Sequence, residues 1–216
     1  MPGFNINEAT DILLKRDFDK YREIGEPHPF LVAKGLDFFI PFSHEHFELW
    51  TQSLHFGAKD RLNFVDPKTN LKVGGGLDDV WLNINTNCLH IVDYKSTSQK
   101  SDKGPITLDD PWKASYKRQM DLYVWVLRKK GFHVDDVGYF LYCDGDRFSE
   151  YDFLSNSTAS MNFKITLIDY KTNDSWIEPT LQDISECLNE SKRPQHSDYC
   201  EYGKFLEDIH NATRVL

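Results

Sequence analysis

At 216 residues, with 40% hydrophobic and 27% charged side chains, the chain suits one domain with a sizeable core and excludes a disordered or fibrous protein. Its net charge of −9 counts against a large nonspecific nucleic-acid binder, yet residues 95–130 hold nine Lys and Arg against four Asp, a local +5 that leaves −14 for the rest. The longest apolar runs, 124–127 and 139–143, are too short for a membrane span, no secretion signal is read, and scattered cysteines at 88, 143, 187 and 200 suit a reducing, cytoplasmic setting.

Residues 4–26 read as a helix with Ile12, Leu13, Phe18 and Tyr21 on its buried face, ended by Pro27 and Pro29. Pro41 and Ser43 open a second helix, with Ser43 as N-cap, Glu45 in the first turn and Phe47, Trp50 and Leu54 as its apolar stripe. His44 and His46 lie near its start. Asp66-Pro67-Lys68-Thr69-Asn70 is a turn signal. Residues 71–84 and 89–95 follow as two β runs joined at Asn85-Thr86-Asn87, a hairpin. Gly74-Gly75-Gly76 interrupts the first run, where glycine marks a bulge, a bend or a close backbone approach.

After a polar loop over 96–109 comes the clearest helix. Asp110 caps it, Pro111 takes its first position and Gly131 fits the C′ position. Trp112, Tyr116, Gln119, Tyr123 and Val126 share one of its faces. Residues 137–143 form a buried strand, Asp144-Gly145-Asp146 a turn, 162–170 an alternating strand and 179–188 a helix. From residue 191 on, the tail is polar with aromatics. This order predicts an α/β fold, a mixed β-sheet core flanked by helices. We read a single domain with its core at about 44–190 and a helical part over 1–43.

The chemistry centres on Asp93-Tyr94-Lys95, at the end of the 89–95 strand. Side chains alternate along a strand, so Asp93 and Lys95 point one way and Tyr94 the other. Asp78 is a second acid upstream, just after the three glycines. Phosphodiester hydrolysis needs charge neutralisation on the phosphate and a deprotonated water. Mg²⁺ serves both when about two carboxylates hold it and leave positions open. Asp78 and Asp93 can supply those carboxylates, and the Tyr94 carbonyl a third ligand. Lys95 can orient the attacking water or stabilise the pentacovalent charge. Gln119 can position the water or a phosphate, while Tyr123 fixes its helix face.

Within the basic stretch, Lys100, Lys113, Lys117 and Arg118 are candidate DNA contacts. Arg128, Lys129 and Lys130 have the plainer role of complementing a helix C-terminus. Asp-x-Lys alone is a weak signal. Asp169-Tyr170-Lys171 repeats the triplet without a Gly-x-x-Asp strand before it or a Gln-x-x-x-Tyr helix after it, and reads as a solvated strand end.

Three motifs occur in order: Gly75-Gly76-Leu77-Asp78, Asp93-Tyr94-Lys95 and Gln119-Met120-Asp121-Leu122-Tyr123. Over about residues 44–145 the pattern closely resembles the PD-(D/E)XK nuclease superfamily, particularly its RecB-like branch. The resemblance implies a restriction-endonuclease-like core and Mg²⁺- or Mn²⁺-dependent DNA cleavage, in DNA repair, recombination, phage or CRISPR-type processing. It implies metal ligation by Asp78 and Asp93, with Lys95 catalytic. It also implies an upstream metal-binding histidine, for which His44 is preferred over His46. Many RecB-like nucleases carry a four-cysteine iron–sulfur cluster. Here Ser197 stands where a partner of Cys200 is expected and no cysteine precedes residue 88, so no cluster is expected. There is no Gly-x-x-x-x-Gly-Lys-Ser/Thr loop, so a helicase would be a separate partner. The competing reading is a catalytically inactive nuclease-fold module that binds DNA or assembles a complex. A hydrolase on another fold ranks last, because no Gly-x-Ser-x-Gly or paired Cys–His supports it.

Overall fold

The computed structural model describes residues 5–52, 61–99, 104–192 and 194–213. The chain divides into two compact units at Ile177 and Glu178. In the first, α1 (Asn5–Ile24) and α2 (Pro29–Ala33) precede β1 (Phe39–Pro41) and a one-turn α3 (Phe47–Trp50). A two-stranded sheet, β2 (Asn63–Val65) with β3 (Lys72–Gly74), comes before the hairpin of β4 (Asp79–Asn83) and β5 (Cys88–Thr97). A 3-10 turn at Pro111–Lys113 leads into α4 (Ala114–Lys129) and then β6 (Val137–Gly145). A small hairpin, β7 (Leu154–Ser155) with β8 (Thr158–Ala159), precedes β9 (Phe163–Lys171). Helix α5 (Ile177–Asn189) and α6 (Glu201–Thr213) close the described chain.

The main sheet has the order β1-β4-β5-β6-β9. Only β5 and β6 are parallel, and α4 lies in the crossover between them. This is the predicted α/β fold, a mixed sheet flanked by helices. Central strand β5 is buried on both faces. Val92 and Tyr94 join Phe18, Leu31, Phe39, Trp81 and Leu141 in one core, on the side of α1. Each large apolar side chain fully buried there contributes about 1.5–3 kcal/mol. On the other face α4 packs tightly, and a Cβ on Gly138 would stand 2.6 Å from the Met120 sulfur. No described helix is long and apolar enough to cross a membrane.

Several local expectations hold. Asn83 Oδ1 accepts from Asn85 N at 3.0 Å and Thr86 N at 3.3 Å, and Asn87 takes φ 56°, closing the β4–β5 hairpin. Helix α4 ends in a Schellman motif: Gly131, at φ 93°, donates to Arg128 O and Phe132 donates to Leu127 O.

Other expectations need correction. Pro41 does not open a helix but ends β1, an edge strand, where a missing N–H is tolerated. The helix begins at Phe47, and Leu54 lies outside the described residues. The 71–84 run is two strands of different sheets, parted by Gly75 to Asp78. Asp110 pairs with Lys113 at 3.0 Å instead of capping the helix. Asp144 and Gly145 belong to β6, and the polar tail contains α6. Helix α1 also turns an unexpected face inward. Ile12 and Leu13 are 55% and 49% exposed, whereas Thr10, Asp11, Leu14, Lys15, Phe18 and Arg22 form the covered stripe. The carboxylates that this stripe meets supply the reason.

Candidate active site

The β4–β5 register pairs Asp79 with Val92, so Asp78, one residue earlier, lies across from Asp93. Asp78 stands just ahead of β4, and its carboxylate is near enough to Asp93 to raise that group's pKa. Asp78 Oδ2 accepts from the Tyr94 backbone N–H at 2.9 Å, which fixes it against the centre of β5. The Lys95 ammonium contacts the Asp93 carboxylate and lies 3.4 Å from the Tyr94 carbonyl. Burial pushes the Asp93 carboxyl up to about 7; the Lys95 charge opposes this and the Asp78 charge adds to it.

Three glycines allow the chain to reach this point. A Cβ on Gly75 would meet Tyr123 Cε1 at 2.7 Å and its hydroxyl at 2.8 Å. A Cβ on Gly76 would stand 3.1 Å from Thr51 O. Close backbone approach, rather than a bulge, is therefore what these glycines serve. Gln119 Nε2 donates to the Tyr123 hydroxyl at 2.9 Å. Burial raises the pKa of that hydroxyl; the Gln119 bond lowers it, and the charges of Asp93 and Asp78 raise it further. Tyr123 thus stands in the field of both carboxylates, with Gln119 attached to it.

Residues that the sequence reading missed come from α1. Lys15 Nζ lies 3.1 Å from Asp78 Oδ1 and donates to Asp11 at 2.8 Å. Burial, and next to it the charge of Asp78, raise the Asp11 pKa against the Lys15 bond. Beside this pair, Arg22 forms a buried ion pair with Asp79, which also accepts from the Tyr94 hydroxyl at 2.6 Å and the Trp81 indole at 3.3 Å. The Arg22 guanidinium stacks 3.8 Å over the Phe47 ring. This network pins α1 to the sheet and so positions Lys15. The available signal was the i, i+4 and i, i+3 spacing of Asp11, Lys15 and Phe18 on one helical face.

Not every predicted residue joins the cluster. His44 stacks on Trp50 at 4.4 Å and meets Phe132 edge-on at 5.4 Å. Its Nδ1 accepts from the His46 N–H, and burial, then the His46 charge, lower its pKa. The contacts found for His44 are with these rings and this backbone, not with Asp78 or Asp93. Among the described residues, no group of three or more His, Cys, Asp or Glu side chains is arranged to hold a metal. Lys113, a candidate DNA contact, is buried: its ammonium bonds Asp110 and the Thr107 carbonyl, drawn under the turn that Pro111 starts. Lys117 is half-buried with Nζ 6.0 Å from the Tyr170 ring, and Arg118 is exposed. Lys100 lies outside the described residues. The repeat triplet behaves as a strand end: Asp169 and Lys171 are exposed, and Lys171 pairs with Asp136 at 3.5 Å.

Asp121, inside the Gln-x-x-x-Tyr motif, is structural. It is buried and accepts from Asn173 N at 2.9 Å and the Trp176 indole at 3.1 Å. For a divalent cation the donor set is suitable. Asp78, just ahead of β4, and Asp93, on β5, are hard oxygen donors that approach each other at the Tyr94 backbone. Asp93 Oδ2 is buried against the Lys95 ammonium and beside the Asp78 carboxylate, an anionic pair that a divalent cation would neutralise.

A family model described as the PD-(D/E)XK nuclease superfamily matches residues 31–204, a span that holds all three motifs. No curated protein and no solved structure matches the chain.

Proposed function

The chain belongs to the PD-(D/E)XK nuclease superfamily, whose members generally hydrolyse phosphodiester bonds, and from that premise we propose that it is a metal-dependent deoxyribonuclease. The observation that carries this reading is the pairing of Asp78 and Asp93 across two strands, with Lys95 against Asp93. Asp78, Asp93 and the Tyr94 carbonyl would hold Mg²⁺ or Mn²⁺, which supplies charge neutralisation at the phosphate and eases loss of a proton from water. Lys95 carries the ammonium nearest those carboxylates on the strand. It donates to the phosphate oxygens and stabilises the charge that grows on them. Tyr123, oriented by Gln119, closes the site from α4. Lys15 holds Asp78 in its orientation.

The three motifs support the RecB-like branch and, with it, a role in DNA repair, recombination, phage or CRISPR-type processing. A separate helicase or processing enzyme is the partner that this branch suggests. We take about 44–190 as the nuclease core and the cytoplasm as its setting, on the strength of four free cysteines.

The test uses end-labelled single- and double-stranded DNA in Mg²⁺, Mn²⁺ or EDTA, with Lys95→Ala alongside. Cutting that needs metal and is lost in Lys95→Ala supports the nuclease. Absence of cutting across metals sinks it and favours the non-catalytic module.

A further inference from the structure

A pocket of about 320 Å³ opens beside Lys95, and Trp112, Lys113, Tyr116, Tyr142 and Arg147 also line it. That volume lies at the lower end of sites for small organic groups, about 300–1,000 Å³. Three aromatic rings stand in a lining that is otherwise largely polar, with Ser, Thr and Gln side chains from the end of β5 and just beyond it. Trp112 and Tyr116 stand edge to face, with centroids 5.4 Å apart and planes at 84°. Trp112 is 58% exposed, an apolar ring left to solvent at the pocket mouth.

Cations border the same rings. Lys95 Nζ is 4.7 Å from the Tyr116 centroid, and Lys113 Nζ is 5.1 Å from that of Trp112. Asp110 offsets the Lys113 charge. Arg147 bonds Ser98 through its hydroxyl and its carbonyl, and neither partner is a carboxylate. The pocket also holds one buried polar group without a partner. Tyr142 is 3% exposed, and its hydroxyl makes no hydrogen bond among the described residues. Buried hydroxyls are nearly always satisfied, so this one points to a missing acceptor or donor.

Flat aromatic faces, neighbouring cations and one unsatisfied hydroxyl match the chemistry of a nucleobase flanked by phosphates. We propose that this pocket binds an unpaired base of the DNA, next to the phosphate that Lys95 meets. A base in an intact duplex is stacked on its neighbours and must leave the stack to enter such a pocket. The site therefore takes single-stranded or frayed DNA in preference to blunt duplex. Stacking on the exposed Trp112 ring, with Tyr116 at right angles to it as a wall, is indifferent to base identity, and the Tyr142 hydroxyl can bond the polar edge of any base. The position relative to the cut rests on the nuclease reading; base binding does not.

The test measures anisotropy of a labelled single strand and a labelled blunt hairpin in EDTA, which withholds the metal that cutting requires, in the protein with and without Trp112→Ala or Tyr142→Phe. A 2-aminopurine moved along the single strand reports stacking by its quenching. The single strand should bind about 10-fold more tightly than the hairpin. Trp112→Ala should cost the single strand about 10-fold and the hairpin little, and Trp112→Phe should restore most of it. Tyr142→Phe should cost about 3-fold, and quenching should peak at one nucleotide and vanish in Trp112→Ala.

Equal binding of both DNAs, no binding of either, or a Trp112→Ala protein that binds like its parent would overturn the pocket. Metal-dependent cutting by the wild-type protein would survive that result and leave the nuclease standing. Trp112-dependent single-strand binding without any cutting would do the reverse.

Discussion

Replacing Asp93 with Asn should stabilise the metal-free protein, and by more as the pH rises. Asp93 is buried beside Asp78, and its carboxyl is pushed from the usual value near 3.8 to about 7. The folded protein therefore holds a proton there that the unfolded chain releases. The sign follows from linkage: a raised folded pKa adds stability that is fully present below the unfolded value and is lost as pH rises through the folded one. A difference of about three pKa units at roughly 1.4 kcal/mol each makes the full loss about 4 kcal/mol, complete by about pH 8. Asn imitates the protonated carboxyl and does not titrate. Its advantage should be near zero at about pH 4 and approach about 4 kcal/mol above about pH 8, less what Lys95 loses with its partner. Urea unfolding of both proteins in EDTA from pH 4 to 9 measures this directly. Excess Mg²⁺ at pH 8 should then stabilise the wild type and not Asp93→Asn. A stability difference that does not change with pH, or an Asn protein that is the weaker of the two at pH 8, would refute the reasoning.

Four further outcomes are expected. Lys95→Ala should lower metal-dependent cutting at least about 100-fold in a labelled-DNA assay while DNA affinity stays within about 3-fold. Asp169→Ala with Lys171→Ala, at the exposed copy of the triplet, should leave cutting unchanged and stability within about 0.5 kcal/mol. Gly75→Ala forces a methyl against Tyr123 and should cost about 1–3 kcal/mol in urea unfolding, and clearly less when introduced into a Tyr123→Ala background. Arg22→Ala strands the buried Asp79 carboxylate and should cost about 3–5 kcal/mol, whereas Arg22→Ala with Asp79→Asn should cost clearly less.

Sequence patterns resolve local order. Alternation along β5 assigns Asp93 and Lys95 to one face, and helical spacing puts Gln119 within reach of Tyr123. Glycines ahead of Asp78 mark a crowded backbone. These three motifs, with the hairpin and the α4 C-cap, needed only neighbours a few residues apart. They carried the family, and with it the candidate site. The face of α1 was decided elsewhere. Apolar periodicity put Ile12 and Leu13 inward, but Asp78 and Asp79 require cations, so Lys15 and Arg22 turn in and the two aliphatics face water. Burying two carboxylates unpaired costs more than wetting two apolar side chains. His44 was likewise drawn against the distant ring of Phe132, a contact that its neighbours in sequence do not announce, whereas Lys113 is held under its turn by Asp110 and Thr107, three and six residues back. Local rules read spacing along one element; only tertiary structure decides which distant charge or ring that element must meet.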